Sequence, residues 1–588
     1  MASLDPPLPP PKLLRESTDL TFSSTFTSSS SRSFSYTPNA VTFTRTRSRL
    51  PFSNKYTYRI LHQPLFRNSL LAGVGYLELA NAADFAANVW NEIPVPLHAK
   101  ILMAIGGPCA LCMTLVAARD MYLSAANVRL LRQERAFLTD SISTGSSGSH
   151  GHNTPTITPG NQQSPSEKTA IDKLNEYKHG VNTREVLTEV IDRILMDLLM
   201  GIGALLVGIG TLLAIWGADP TIYRTSNLLS GYVGNGLAAA FGVVNAVWSA
   251  YLVWRFQRCW TACSPPEDGH GLKLELPSSL KIKLRARFRA LRFHALVNGI
   301  NGLVAGAASM VTATMWYGYV VLVPCIASLI FLNLFWRARL GYDRSLGTFS
   351  TGLDWGLTTA SALSQTNAEE TGASPEDTQS PPQPSPSSPP SPDAITHHKE
   401  AVNTEDQNDD AISILLTELA YVSEMHRALL HTTSSTTQNT NTKDNNHATH
   451  ILRTLNLPTT TATPTTLLTF ITHHNLWESF CVWLIESQRQ RQSPSITQRQ
   501  ELDTILGLGS TSPSTSSAVN PPEVAAATEV TLHPDDLLSR CRDQPLLVRK
   551  MKAFLVGNVT RCFAYRERYL LEMVGYAIWK ESIPPSAS

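Results

Sequence analysis

HALVNGINGLVAGAASMVTATMWYGYVVLVPCIASLIFLNLFWRAR, residues His294–Arg339, decides the fold. Between Ala295 and Trp336 it has no Asp, Glu, Lys, Arg or His. One helix of that length would run roughly 63 Å, twice the hydrocarbon thickness of a bilayer. The stretch therefore reads as two spans that turn near Trp316–Tyr319. The run KIKLRARFRALR precedes it and contributes Lys281, Lys283, Arg285, Arg287, Arg289 and Arg292. Arg337, Arg339 and Arg344 follow. Positive charge on both flanks of an apolar pair predicts both ends in the cytosol.

Outside this stretch the 588 residues alternate between apolar blocks and long Ser/Thr/Pro/Gln tracts, so the 43% hydrophobic content averages two extremes. The net charge of +1 argues against a nucleic-acid partner. The eight cysteines are too scattered for a disulfide framework. The first fifteen residues, MASLDPPLPPPKLLR, lack the apolar region of a secretory signal. Residues 1–67 read as a disordered basic arm ending in Arg45, Arg47, Arg49, Lys55, Arg59 and Arg67, placed against an anionic membrane face. Thr21–Phe66 has transit-peptide composition, but the opening prolines and Asp5, Glu16 and Asp19 argue against mitochondrial targeting.

Read in order, the chain predicts an all-α membrane protein with six transmembrane helices as three hairpins. The first hairpin occupies 68–118: a polar span, Ser69–Trp90, then His98–Ala118 with Gly106-Gly107-Pro108 at its middle, where proline predicts a kink. A cytosolic loop covers 119–192, with helices expected over Met121–Thr139 and Ala170–Arg193 on either side of a disordered linker, Ser141–Glu167. The second hairpin, 193–256, holds Arg193–Gly217 and Leu228–Trp254. A basic loop, 257–293, leads to the third, 294–337. A disordered Ser/Pro-rich linker, 338–409, contains Thr371–Asp393. Residues 410–588 read as a small helical cytosolic region with disordered insertions, carried by apolar spacings such as Ile412, Leu415, Leu419 and Val422. Each even-numbered span ends in arginine, and the outer turns are nearly free of Lys and Arg, so both termini are expected in the cytosol.

The hairpins look alike. Leu70–Gly75, Leu198–Gly203 and Leu296–Gly302 are small-residue starts, and Trp90, Trp216 and Trp316 mark the far edge. Three hairpins resemble the mitochondrial carrier family in outline, but Trp90-Asn91-Glu92-Ile93-Pro94 and Trp216-Gly217-Ala218-Asp219-Pro220 do not match that family's motif. In composition, and without a shared motif, the chain resembles uncharacterised multi-pass integral membrane proteins of filamentous fungi.

Four residues of the first span, Glu78, Asn81, Asp84 and Asn88, are spaced by three, three and four. On a continuous helix they form one polar stripe. Intramembrane carboxylates mark proton or cation paths, and Asn235, Asn245, Asn298, Asn301 and Asn333 are candidates to complete a polar lining. Interhelical hydrogen bonding, or a helix that does not insert, would give the same pattern. Gly302-x-x-x-Gly306 and Gly231-x-x-Gly234 suit close helix contacts. Cys259 and Cys263, just inside the fourth span, are candidate palmitoylation sites. The Lys281–Arg292 cluster is expected to face anionic lipid headgroups. Cys109-x-x-Cys112 lies in an apolar helix, where small packing residues are the default. No nucleotide loop, dinucleotide fingerprint, zinc-protease motif or nucleophile elbow occurs. The expectation is a non-enzymatic membrane scaffold or regulatory protein without a cofactor. The alternative is a transporter or channel built around Glu78 and Asp84.

Overall fold

The computed structural model describes residues 40–47, 56–61, 64–69, 74–90, 95–146, 165–263, 277–346, 406–437, 445–457, 462–489, 501, 504–506 and 528–583. The Ser-Pro tract, most of the 338–409 linker and residues 147–164 lie outside them.

The first polar segment is short. Helix α1 (Val74–Asn81) passes through a 3-10 turn, Ala82–Asp84, into α2 (Phe85–Val89). Together they rise about 25 Å, less than a hydrocarbon core. They pack against the longer helices that follow. Those are α3 (Leu97–Ser146), α4 (Pro165–Thr188) and α5 (Met196–Ala214), with a π-helical turn, Glu189–Leu195, joining the last two. Next come α6 (Pro220–Ser226), a second π-helical turn, Asn227–Gly234, and α7 (Asn235–Ala262). Asp219 starts α6 by accepting the Thr221 amide at 2.7 Å, with Pro220 in the first turn, where its missing N–H is harmless. Helices α8 (Ser278–Thr312) and α9 (Gly318–Phe335) meet at a turn over 313–317 and pack together.

Five helical stretches are long and apolar enough to cross a membrane: Leu97–Thr139, Thr169–Ala214, Pro220–Ala262, Ser278–Thr312 and Gly318–Leu340. The segment expected as a sixth, Ser69–Trp90, is not among them, because it breaks at Asp84. The others run well past the predicted boundaries. Within 119–192 the helices expected over Met121–Thr139 and Ala170–Arg193 are present as continuations of the apolar ones, and α3 continues through Pro108.

Their outward faces carry Ile101, Ile105, Val247, Ile300, Val320 and Phe331, all exposed. An apolar surface of this extent is what a lipid environment covers. The helices meet through small residues. A Cβ on Gly242 would stand 2.5 Å from the Gly302 carbonyl oxygen, and one on Gly306 would stand 2.9 Å from the Ala239 Cα. These contacts bring the α7 and α8 backbones together.

Beyond the apolar helices lie α10 (Asp406–Thr437), α11 (Asn445–Thr454), α12 (Pro464–His473), α13 (Trp477–Arg489), α14 (Pro534–Arg540) and α15 (Gln544–Glu581). Asn456 and Asn475 stop α11 and α12 with φ of 55° and 56°. The next amides, of Leu457 and Leu476, bond back to the Leu452 and Ile471 carbonyls at 2.9 and 2.8 Å. Asparagine tolerates this left-handed cap better than most residues.

The N-terminal arm, expected to be disordered throughout, contains strands β1 (Val41–Arg47), β2 (Tyr56–Ile60) and β3 (Leu65–Arg67). β1 lies between β2 and β5 (Thr528–Leu532), antiparallel to both, with Phe43 opposite Val530. Val41 and Phe43 are buried while Thr42 and Thr44 are not, the period-two pattern of a half-buried strand. β3 pairs with β4 (Asp343–Ser345), which follows α9 after a π-helical turn, Trp336–Leu340. The fold is thus mostly helical, with two small sheets that tie the N-terminal arm to later parts of the chain.

The C-terminal helices do not form a separate body. One continuous core joins Trp248, Phe288 and Trp336, at the charged ends of α7, α8 and α9, to Leu415, Trp477 and Phe554. Helix α15 packs on α4, α7, α8, α10 and α12. A Cβ on Gly575 of α15 would strike the Phe288 ring, and one on Gly180 of α4 would strike Tyr576.

Candidate functional site

The structure brings together two of the four stripe residues. Asp84 is fully buried. Its carboxylate accepts hydrogen bonds from Tyr319 Oη at 2.8 Å, Asn88 Nδ2 at 2.9 Å and Asn235 Nδ2 at 3.3 Å. The Asn235 amide also reaches Thr312 Oγ1 at 3.3 Å, and that hydroxyl donates to the Ser309 carbonyl at 2.6 Å. Three donors on one carboxylate offset much of its desolvation. The group staples α1–α2 to α7, α8 and α9. The space beside Asn88 amounts to about 20 Å³, room for roughly one water.

Glu78 is buried too, and its Oε2 has no hydrogen-bond partner among the described residues. The Asn81 side chain lies outside them. Three of the other asparagines join helices, and Asn333 is half-buried on α9. Asn298 Nδ2 donates to Asn245 Oδ1 at 3.0 Å, and Asn301 Nδ2 to the Cys325 carbonyl at 3.0 Å.

The basic cluster needs correction. Arg287 is buried, ion-paired to Glu572 at 2.6 Å, and donates to the Leu340 carbonyl at 2.6 Å. Lys283 pairs with Glu567 at 2.7 Å, and Arg292 donates to Gln257. Lys281 and Arg285 are half-buried, which leaves Arg289 exposed. The run is an amphipathic helix whose Leu284, Phe288 and Leu291 face the core, so Arg287 turns inward with them. Cys259 and Cys263 are also buried in that core.

Glu567 gathers three partners: Lys283, Ser423 Oγ at 2.6 Å and His426 Nδ1 at 2.5 Å. Burial opposes its ionisation, but the His426 hydrogen bond and the Lys283 cation outweigh burial and hold the carboxyl at about 2. Close by, burial pushes His474 well below the usual imidazole range, helped by the Arg566 cation. Its ring stacks on Tyr421, centroids 5.9 Å apart.

The most heavily charged buried feature was not anticipated. Arg344 of β4 donates to both oxygens of Glu134 on α3, at 2.6 and 2.7 Å, and to Glu185 Oε2 on α4 at 2.6 Å. Tyr342 Oη donates to Glu185 Oε1 at 2.6 Å and accepts from Arg184 Nη2 at 2.9 Å. Arg184 continues to Glu572 of α15 at 2.7 Å, and Glu572 holds Arg287 of α8. Three arginines and three glutamates therefore cancel. None of the six side chains is more than 6% exposed. Buried charges persist when geometry and extra hydrogen bonds repay desolvation. Here Asn182 adds a bond to Glu134 at 2.6 Å, and Arg344 lies over the rings of Tyr569 and Phe66, at 4.9 and 5.4 Å. The members come from residues 134 to 572, with no local spacing to announce them. The one sequence signal is that Arg184-Glu185 and Arg344 lie beside apolar spans.

A cavity of about 260 Å³ lies next to this network, walled by β3, β4, α4, α10, α13 and α15. Comparison of the chain with models of protein families, with curated proteins and with solved structures finds no match.

Proposed function

We propose that this chain is a non-enzymatic, multi-pass membrane scaffold or regulatory protein with both termini in the cytosol. The buried Arg184–Glu185–Arg344–Glu572 network carries the reading. It fastens α15 and β4 to the helices that run on into the apolar region, so a displacement in one half is passed to the other. The closed hydrogen bonding around Asp84 supports a structural bundle. The bundle crosses the bilayer six times as three hairpins, with α1–α2 as a short polar crossing held inside. Exposed Arg289, with half-buried Lys281 and Arg285, meets anionic headgroups.

A cysteine-accessibility experiment tests the crossing number. In a background with all eight cysteines replaced by serine, Asn91→Cys is expected to react with an impermeant maleimide only from the non-cytosolic side. Labelling from the cytosol would reduce six crossings to five.

One observation favours a second reading, a transporter or channel: the Oε2 of Glu78 has no hydrogen-bond partner among the described residues. The scaffold reading expects proteoliposomes to show no more proton or monovalent-cation flux than empty liposomes. Flux that Glu78→Gln or Asp84→Asn abolishes would transfer the assignment to the second reading.

A further inference from the structure

We propose that the C-terminal end of α15 is itself a membrane contact: Trp579, with Trp254 and Arg258 of α7, forms a patch that seats in the headgroup layer of a phospholipid bilayer. This rests on the membrane reading of the apolar helices. It adds to that reading a contact made by a helix that is not among the apolar stretches.

The patch begins as a stripe on α7. Val243, Val247, Tyr251, Trp254 and Arg258 follow one another at intervals of four, four, three and four, so they share one face of the helix. All five are exposed. Along this face the chemistry runs from aliphatic to aromatic to cationic. A helix face that leaves hydrocarbon, crosses the interface and enters the headgroups has that order. The neighbouring helix α8 sets the depth. Gly306 meets Ala239, Gly302 meets Gly242, and Gly299 meets Ser249. Extended by five residues, this antiparallel register puts Trp254 level with His294 to within a helical turn. The charge-free run begins at Ala295, which is where the hydrocarbon boundary falls on the membrane reading.

Helix α15 reaches the same level. Its Tyr576 abuts Gly180 of α4 and lies under the Arg255 guanidinium, 4.7 Å from the ring centroid. Arg255 also donates to the Gly180 carbonyl at 2.9 Å. These contacts lock the last turns of α15 to α4 and α7. Three residues later Trp579 meets Trp254 edge to face, with centroids 6.1 Å apart. Trp254 is still 49% exposed, and Trp579 is half-buried. An indole pairs an apolar body with one N–H donor, which suits a boundary that is apolar on one side and wet on the other. Arg258 lies over the Trp254 ring at 5.8 Å and has no ion-pair partner among the described residues. Its charge is left to meet lipid phosphate, which zwitterionic and anionic headgroups share. The patch continues the face that carries Val243 and Val247, and this continuity selects lipid, not a protein, as its cover.

The test reconstitutes the full chain in liposomes of phosphatidylcholine brominated either high on the acyl chain or near its methyl end. Each tryptophan is read as the fluorescence lost when it is replaced by phenylalanine, in Trp579→Phe, Trp254→Phe and Trp316→Phe. Trp316, in the outer turn, reports insertion of the apolar helices. The Trp579 and Trp254 contributions are expected to be quenched, at least about twofold more by the shallow bromine than by the deep one. Quenching of Trp316 without quenching of Trp579 would overturn the proposal and leave the membrane reading standing, with water or a protein on the patch. Stronger quenching of Trp579 by the deep bromine would overturn it as well. If Trp316 is not quenched either, the membrane reading fails and the proposal falls with it.

Discussion

Arg344→Met is expected to destabilise the charged end of the molecule by about 3–5 kcal/mol, the usual consequence of removing one partner from a buried ion pair. The magnitude follows from what is left behind. Glu134 and Glu185 both direct carboxylates at the guanidinium and are buried on α3 and α4. Without it they face each other across a low-dielectric gap. Methionine matches the stem in volume and supplies no donor. Adding Glu134→Gln and Glu185→Gln to Arg344→Met should restore most of the loss, because neutral groups no longer repel. Thermal unfolding in nanodiscs, followed by tryptophan fluorescence, reads both steps. If the single and triple variants are equally unstable, packing around Arg344 dominates and the charge argument fails.

Asp84→Leu is the second large effect, expected at about 2–4 kcal/mol from donors left without an acceptor. Tyr319, Asn88 and Asn235 all donate to this carboxylate. Asn88 still reaches Tyr319 Oη at 2.8 Å, and Asn235 still reaches Thr312. The loss is therefore that of one or two unmet groups, not three. Asp84→Asn retains one carbonyl acceptor and should lose about half as much. Equal damage from both substitutions would mean that the charge, and not the acceptor capacity, holds the site together. The same thermal measurement separates the two.

These residues mark the boundary of what the sequence reveals. A run free of charge from Ala295 to Trp336, flanked by arginine, is a local pattern, and the α8–α9 turn falls beside Trp316 as that pattern requires. Gly302 and Gly306 announce a close helix contact, and the structure places it against Gly242 and Ala239. The polar stripe at Glu78–Asn88 assumed one continuous helix. The 3-10 turn at Ala82–Asp84 interrupts that helix; Asp84 keeps the bond to Asn88, four residues on, and otherwise bonds to other helices. Longer-range partners were out of reach. The VTFTRTR strand alternates as a strand should, but the second of its two pairing partners begins at Thr528. The Lys281–Arg292 run has lipid-facing composition, yet Lys283 and Arg287 find Glu567 and Glu572 near the end of the chain. A basic residue beside a span reads the same whether its anion is a lipid or a distant glutamate.

The C-terminal helices are built onto the apolar helices and not merely tethered to them. A protease site placed within residues 347–405 of the full chain tests it. After cleavage in sealed membranes and sedimentation, the C-terminal fragment is expected in the pellet with the N-terminal one, at moderate salt and without detergent. Release of the intact, folded fragment into the supernatant would contradict the account.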